Sequence, residues 1–160
     1  MSTLTRPIAA SPAHALLATD AAAAPLLART ALALLLFPHG AQHALGWFGG
    51  YGFAGTLGWM TGTLGFPAPA AALAIAVELF APVALLVGVG SRLAALGLVG
   101  LMLGAISTHV TNGFFMNWFG SLAPGAEGFE YHLVVIALAA VVVIAGGGAL
   151  SLDRRLARVR

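Results

Sequence analysis

Four runs of roughly twenty residues carry almost no charge, and they leave this chain little freedom in what it can fold into. A helix crossing the roughly 30 Å hydrocarbon core of a bilayer needs about 20 mostly apolar residues. Residues 25–48, 70–89, 93–110 and 131–146 each read as such a span. Hydrophobic residues make up 60% of the 160-residue chain and charged residues 8%. A soluble domain carries about 25% charged residues, so this chain has no means of covering a water-facing surface. The expected fold is therefore all-α: a four-transmembrane-helix bundle occupying residues 25–152, with an N-terminal arm over 1–24 and a basic tail over 153–160.

The connections refine that picture. Residues 1–24 are rich in Ala, Ser and Thr, with Pro7, Pro12, His14 and Asp20. Their apolar stretch is too short for a secretory leader, so they read as a loose arm without a cleaved signal, His14 being a solvated side chain. Pro38 falls inside the first span, where it removes a backbone hydrogen bond and is expected to interrupt the helix. Residues 49–67 are too Gly-rich for a span and hold Tyr51, Phe53 and Trp59. Aromatic rings favour the headgroup level, so this segment reads as an interfacial or re-entrant piece over the bundle. A second aromatic loop follows the third span, with Phe114, Phe115, Trp118 and Phe119.

All seven basic residues are arginines. With four spans, Arg6, Arg29, Arg92, Arg154, Arg155, Arg158 and Arg160 fall on one side, and the two aromatic loops on the other carry none. Basic residues concentrate on the cytoplasmic side of membrane proteins. Both termini are thus expected in the cytoplasm and the aromatic, Gly-rich loops outside. The net charge of +2 does not argue for nucleic acid, since no basic strip with interleaved aromatics tracks a backbone. The absence of cysteine excludes disulfides, thiolate metal sites and thiol redox chemistry within this chain.

Polar side chains within a bilayer are costly and commonly face a bundle interior, where they mark function. At about 1.5 Å of rise per residue, His39 and His43 of the first span, Glu78 of the second, His109 of the third, and Glu130 and His132 of the fourth converge on the outward half of one bundle. The inward half is nearly all Ala, Leu, Val and Gly. A lone carboxylate at the depth of Glu78 needs a partner, and His39, His43 and Arg29 are the candidates. His39 and His43 stand at i and i+4 on one helix face, which is also a metal-ligand spacing. They lack the flanking pattern of any specific metal motif, and Pro38 disturbs the local geometry, so no metal is assigned. The bland alternative is a hydrogen-bonded polar core that fixes how similar helices pack. The sharper one is a site for a small polar or quinone-like molecule, which the aromatic loops could roof.

Taken together, Arg29, Pro38-His39-Gly40-x-Gln42, Gly49-Gly50, Glu78, Ser91-Arg92-Leu93, Asn112-Gly113-Phe114-Phe115, Glu130-Tyr131 and Ser151-Leu152-Asp153 resemble the DoxX family of small bacterial four-span membrane proteins. The likeness runs from about Leu26 to Leu156. It implies a four-helix membrane bundle in the bacterial inner membrane. Within the wider family, DoxD and DoxA proteins form a thiosulfate:quinone oxidoreductase, and other members accompany membrane oxidoreductase complexes. Carried over by position, Arg29, His39, Gln42, Glu78, Arg92, Asn112, Glu130 and Tyr131 match the pattern. One position departs: the residue after the Gln is commonly Lys and is His43 here, so a family-wide His39–His43 metal pair does not follow.

The functional expectation is a small subunit of a membrane-bound oxidoreductase, not catalytic alone. Glu78 and His39 would exchange protons, and Gln42, His43, His109, Glu130, Tyr131 and His132 would line a pocket. The sequence fixes no cofactor; a quinone is the class such a pocket would admit. Expected partners are the lipid bilayer, other membrane or redox subunits and a second copy of the chain. The alternative is a non-catalytic anchor or assembly subunit whose polar cluster is structural. A carrier of solutes or ions is disfavoured, because no polar pathway crosses the inner half.

Overall fold

The computed structural model describes residues 12–123 and 126–158. Residues 1–11 of the expected arm, with Arg6, the side chain of His14, and Arg160 of the expected tail lie outside the described residues. Every regular element among the described residues is helical: α1 (Pro12–Leu17), α2 (Ala23–Leu45), α3 (Gly52–Gly62), α4 (Ala68–Val87), α5 (Ser91–His109), α6 (Glu130–Ala145) and α7 (Leu152–Arg158). Single 3-10 turns follow α2 at Trp47–Gly49 and α5 at Val110–Asn112.

Three helices are long and apolar enough to cross a membrane: α2, α4, and α5 continued through its 3-10 turn. The apolar helix α6 is shorter, with 16 residues, or about 24 Å at 1.5 Å per residue. α2 packs on α4 and α6, and α5 packs on the same two helices, so the four close a ring. Leu32 and Leu36 of α2, Leu85 of α4, Leu98 of α5, and Val135 and Val142 of α6 fill its interior and are at most 2% exposed. The outer faces carry Leu34, Leu73, Phe80, Leu86, Leu103 and Ile144, all exposed. In water such a surface would aggregate; hydrocarbon is the solvent it fits.

Glycine sets two of the helix ends. Gly46 after α2 and Gly88 after α4 take φ of 74° and 75°, the left-handed conformation that stops a helix at little cost only in glycine. Pro38 does not interrupt α2, contrary to the sequence expectation. The helix runs through it to Leu45, with Pro38 on an exposed face. The Gly-rich stretch between the first two spans holds α3, whose 11 residues reach about 16 Å, too short to cross. It packs against α2 and α4.

One end of the bundle is tied by arginines. Arg29, 2% exposed, donates from Nε to the Gly147 carbonyl at 2.8 Å and from one terminal nitrogen to the Leu85 and Leu86 carbonyls at 2.6 and 2.7 Å. Its other nitrogen reaches the Ala149 carbonyl at 3.2 Å. The sequence reading offered Arg29 as a partner for Glu78; it is turned the other way. Helical side chains lean toward the N-terminus of their own helix, so Arg29 leans toward the start of α2 and meets carbonyls of the last turn of α4, where the helix's own hydrogen-bond ladder runs out. Arg92 does the same for α6, donating to the Val143 and Ile144 carbonyls at 3.0 and 3.1 Å. It also donates to the Ala18 carbonyl at 2.6 Å, fastening the segment after α1. From beyond α6, the buried Asp153 carboxylate accepts the N–H groups of Gly90 and Ser91 at 2.7 and 2.9 Å.

Candidate functional site

The opposite end of the ring holds the histidines, and the close approach of α2 to α4 builds the central contact there. Gly40 faces the backbone of α4 so closely that a Cβ on it would overlap the Glu78 carbonyl and the Leu79 Cα. Only glycine permits that approach. Glu78 leans toward the start of α4, which carries its carboxylate toward the end of α2. There Glu78 Oε2 lies 2.5 Å from His43 Nδ1, with the two side chains 14% and 37% exposed.

The carboxylate's partner is thus His43 and not His39. His43 falls at intervals of three and four on the face that carries Leu32, Leu36 and Gly40, all buried. His39, one turn earlier, stands to the side of that face and is exposed. Gln42 is half-buried and donates from Nε2 to the Phe48 carbonyl at 3.3 Å. It thereby helps hold the turn in which Phe48 takes φ of 53°.

Across the ring, α5 and α6 bring a second pair together. The imidazoles of His109 and His132 lie with ring centroids 4.7 Å apart, inclined at 49°. His109 Nδ1 lies 2.8 Å from the Ala105 carbonyl and donates to it. His132 is 8% exposed, and its Nδ1 is buried without a hydrogen-bond partner. Tyr131 stands edge-on to the His132 ring at 6.1 Å and packs against the apolar core. The histidines that find a close partner at this end therefore form two pairs, His43 with Glu78 between α2 and α4 and His109 with His132 between α5 and α6. Among the described residues, no three His, Asp or Glu side chains come together as a group able to hold a metal ion.

The second aromatic loop is organised by carboxylates and amides. Glu127 Oε2 accepts the Asn117 N–H at 2.6 Å, and Asn112 donates to the Glu127 carbonyl at 2.9 Å. Glu130 Oε1 accepts the Trp118 indole N–H at 2.7 Å. Between this loop and the first turns of α6 is a cavity of about 510 Å³, walled by Phe114, Met116, Trp118, Glu130, Tyr131 and Val134. Glu130 and Tyr131, predicted to line a pocket, line this one; His43, His109 and His132 do not border it.

Several contacts escaped the sequence reading. The Trp118–Glu130 bond joins residues twelve apart across a loop, a spacing that matches no helical or strand period. Asp153, read as part of a tail, is 1% exposed. The signal that could have found it is the Gly88-Val89-Gly90-Ser91 turn, whose free N–H groups open α5 and need an acceptor.

The family model described as DoxX matches residues 24–118, more than half of the chain and three of the four helices of the ring. No curated protein and no solved structure matches it.

Proposed function

The chain belongs to the DoxX family, and from that premise we propose that it is the membrane-embedded subunit of an oxidoreductase complex, handling protons and a quinone at the histidine end of its bundle. The observation that carries this reading is the contact between Glu78 Oε2 and His43 Nδ1 at 2.5 Å. A carboxylate and an imidazole at that distance share a proton, and the second ring nitrogen lets the imidazole pass it on. His43 is more open to the surroundings than Glu78, so in this reading a proton enters through the imidazole. His39, exposed one turn earlier on α2, is the group placed to exchange it with the outside.

The placement in the membrane rests on charge. Arg29, Arg92, Arg154, Arg155 and Arg158 belong to the end opposite the histidines. The positive-inside rule makes that end cytoplasmic, with α6 as a fourth span and the chain in the bacterial inner membrane. In this reading a partner subunit supplies the redox centre. Purification of the tagged chain from native membranes in mild detergent, with mass spectrometry of stoichiometric partners, tests this. A co-purifying subunit bearing flavin, haem or metal is the expected result; a chain recovered alone or only with itself removes the reading.

A second reading is favoured by Gly40. Because α2 and α4 touch backbone to backbone beside it, the His43–Glu78 bond also locks those helices, as an anchor or assembly subunit would require. Glu78→Gln separates the two. Loss of turnover in an intact complex supports proton handling; an unchanged turnover or a dissociated complex supports the anchor.

A further inference from the structure

We infer that α7 is an interfacial helix that docks on anionic phospholipid, with Arg154, Arg155 and Arg158 against the headgroups of the leaflet at the arginine end and Leu152 and Leu156 against the tops of the acyl chains. The inference goes beyond the proposed function: it needs the bundle to lie in a bilayer, but neither a proton site nor a redox partner. Asp153 holds α7 to the α4–α5 turn. Its carboxylate accepts the Gly90 and Ser91 N–H groups, and its own N–H donates to the Gly88 carbonyl. At 3.6 residues per turn, that anchor fixes the other faces of the helix. Asp153 and Ala157, four apart, form the inner face and are buried and half-buried. Leu152 and Leu156, also four apart, form a second face, and Arg155 and Arg158, three apart, a third; all four are exposed. Just before the helix, Leu150 takes φ of 57°, uncommon outside glycine, and its side chain is 77% exposed.

Charge and apolar exposure together select the partner. Arg29 and Arg92 are spent on backbone carbonyls. The side chains of Arg154, Arg155 and Arg158 make no ion pair among the described residues. Of the five acids in the chain, Glu78, Glu127 and Glu130 belong to the histidine end, and Asp153 is 1% exposed. Asp20, exposed in the link between α1 and α2, is the acid left at the arginine end, and it too forms no ion pair. A zwitterionic headgroup brings its phosphate with an ammonium of its own and leaves the three guanidinium charges uncompensated. An anionic headgroup supplies net negative charge, from which basic residues beside a leaflet gain, and its phosphate accepts two N–H bonds from one guanidinium. The leucines favour a leaflet over a soluble acidic partner. Leu86 and Leu93, flanking the turn to which α7 is held, are exposed as well, so the hydrocarbon boundary falls close to α7. A helix with one apolar and one basic face at that level lies in the interface plane, its apolar face sunk among the chains.

The test uses the full chain in nanodiscs of phosphatidylcholine and phosphatidylglycerol in a fixed four-to-one mixture. The chain has no cysteine, so Leu156→Cys carries a single bimane fluorophore on α7. In a parallel sample Leu103→Cys carries it on the exposed flank of α5. A nitroxide quencher high on the acyl chain is placed on one lipid or the other at equal mole fraction. At position 156 the phosphatidylglycerol quencher is expected to be enriched about fivefold over the phosphatidylcholine one, the worth of one arginine beside an anionic surface. At position 103 the two are expected to quench alike. Replacing Arg154, Arg155 and Arg158 together by Gln is expected to bring the ratio at position 156 to about one. Replacing the three by Lys is expected to retain the preference, since the charge remains and Asp153 still holds the helix. In the parent, raising the salt concentration is expected to lower the ratio. Quenching by neither lipid, as from an α7 standing in water or reserved for a soluble acidic partner, overturns the inference. So does equal quenching by both lipids, a preference that survives the Gln replacements, or a ratio indifferent to salt. None of these outcomes bears on a redox subunit or on the His43–Glu78 pair, so the proposed function stands or falls separately.

Discussion

His43 and Glu78 meet at 2.5 Å beside the one point where α2 and α4 touch through a glycine, with Gly40 against the Glu78 carbonyl. The two features depend on each other. The glycine lets the helices close, and closure brings a half-buried imidazole within reach of a carboxylate that would otherwise face apolar side chains. Neighbouring Ala41, Ile75 and Ala71 are buried, so the pair sits beside a largely apolar helix seam.

Gly40→Ala is accordingly expected to destabilise the protein. The added Cβ meets backbone rather than a yielding side chain, and overpacking of this kind costs about 1–3 kcal/mol. Thermal unfolding in detergent measures it. Gly100→Ala is the control: nothing lies within 4 Å of a Cβ there, and replacing a mid-helix glycine with alanine is expected to leave the midpoint unchanged or raise it. Equal losses at both positions would remove the close-approach argument.

A double-mutant cycle between Glu78→Gln and His43→Asn is expected to show coupling of about 1 kcal/mol, within the range for residues in direct contact. His43 is 37% exposed, and exposure screens the interaction, which keeps the figure near the lower part of that range. The parallel cycle between Glu78→Gln and His39→Asn is expected to return coupling indistinguishable from zero, since His39 faces outward. The reverse outcome would reassign the carboxylate to His39.

How far the sequence reached follows from which forces leave a local trace. Apolar runs of span length report directly on long apolar helices, so α2, α4 and α5 are legible as candidate spans and α6 as a shorter apolar helix, as is the placement of His43, Glu78, His109 and His132 at one end. Partner choice within that end is not. His39 and His43 are 40° apart around one helix, and the small rotation that puts one in and the other out is set by the Gly40 contact with α4. Arg29 is a clearer case: its spacing along the sequence allows a partner in either direction, and only the lean of helical side chains decides for the α4 carbonyls. The Trp118–Glu130 bond left no trace, because loop geometry has no period.

Arg29→Lys separates charge from shape at the arginine end. Arg29 donates to four carbonyls from three nitrogens in a planar fork. A lysine keeps the positive charge against the C-terminus of α4 but presents a single ammonium that cannot span Leu85 and Gly147 together. Each buried carbonyl left without its donor costs about 1–3 kcal/mol. Arg29→Lys is therefore expected to lower the thermal midpoint clearly, and Arg29→Met further still. A lysine variant as stable as the parent would show that charge alone holds this end.

Asp153→Asn tests whether the C-terminal helix holds the α4–α5 turn. Both Asp153 oxygens are engaged, one by the Gly90 N–H and one by the Ser91 N–H, and its own N–H donates to the Gly88 carbonyl at 2.9 Å. These are the first free N–H groups of α5, and the carboxylate serves them as an N-cap side chain would, from 62 residues away in the case of Ser91. Asparagine keeps one acceptor and sets an amide against the other N–H. Loss of a capping acceptor costs about 0.5–2 kcal/mol, so a fall of that size in unfolding free energy is expected. Amide hydrogen exchange supplies the more specific readout. Gly90 and Ser91 are expected to lose protection in Asp153→Asn while Leu98, in the middle of α5 and fully buried, keeps it. Loss of protection along the whole helix would mean instead that α7 supports the entire bundle rather than this one turn.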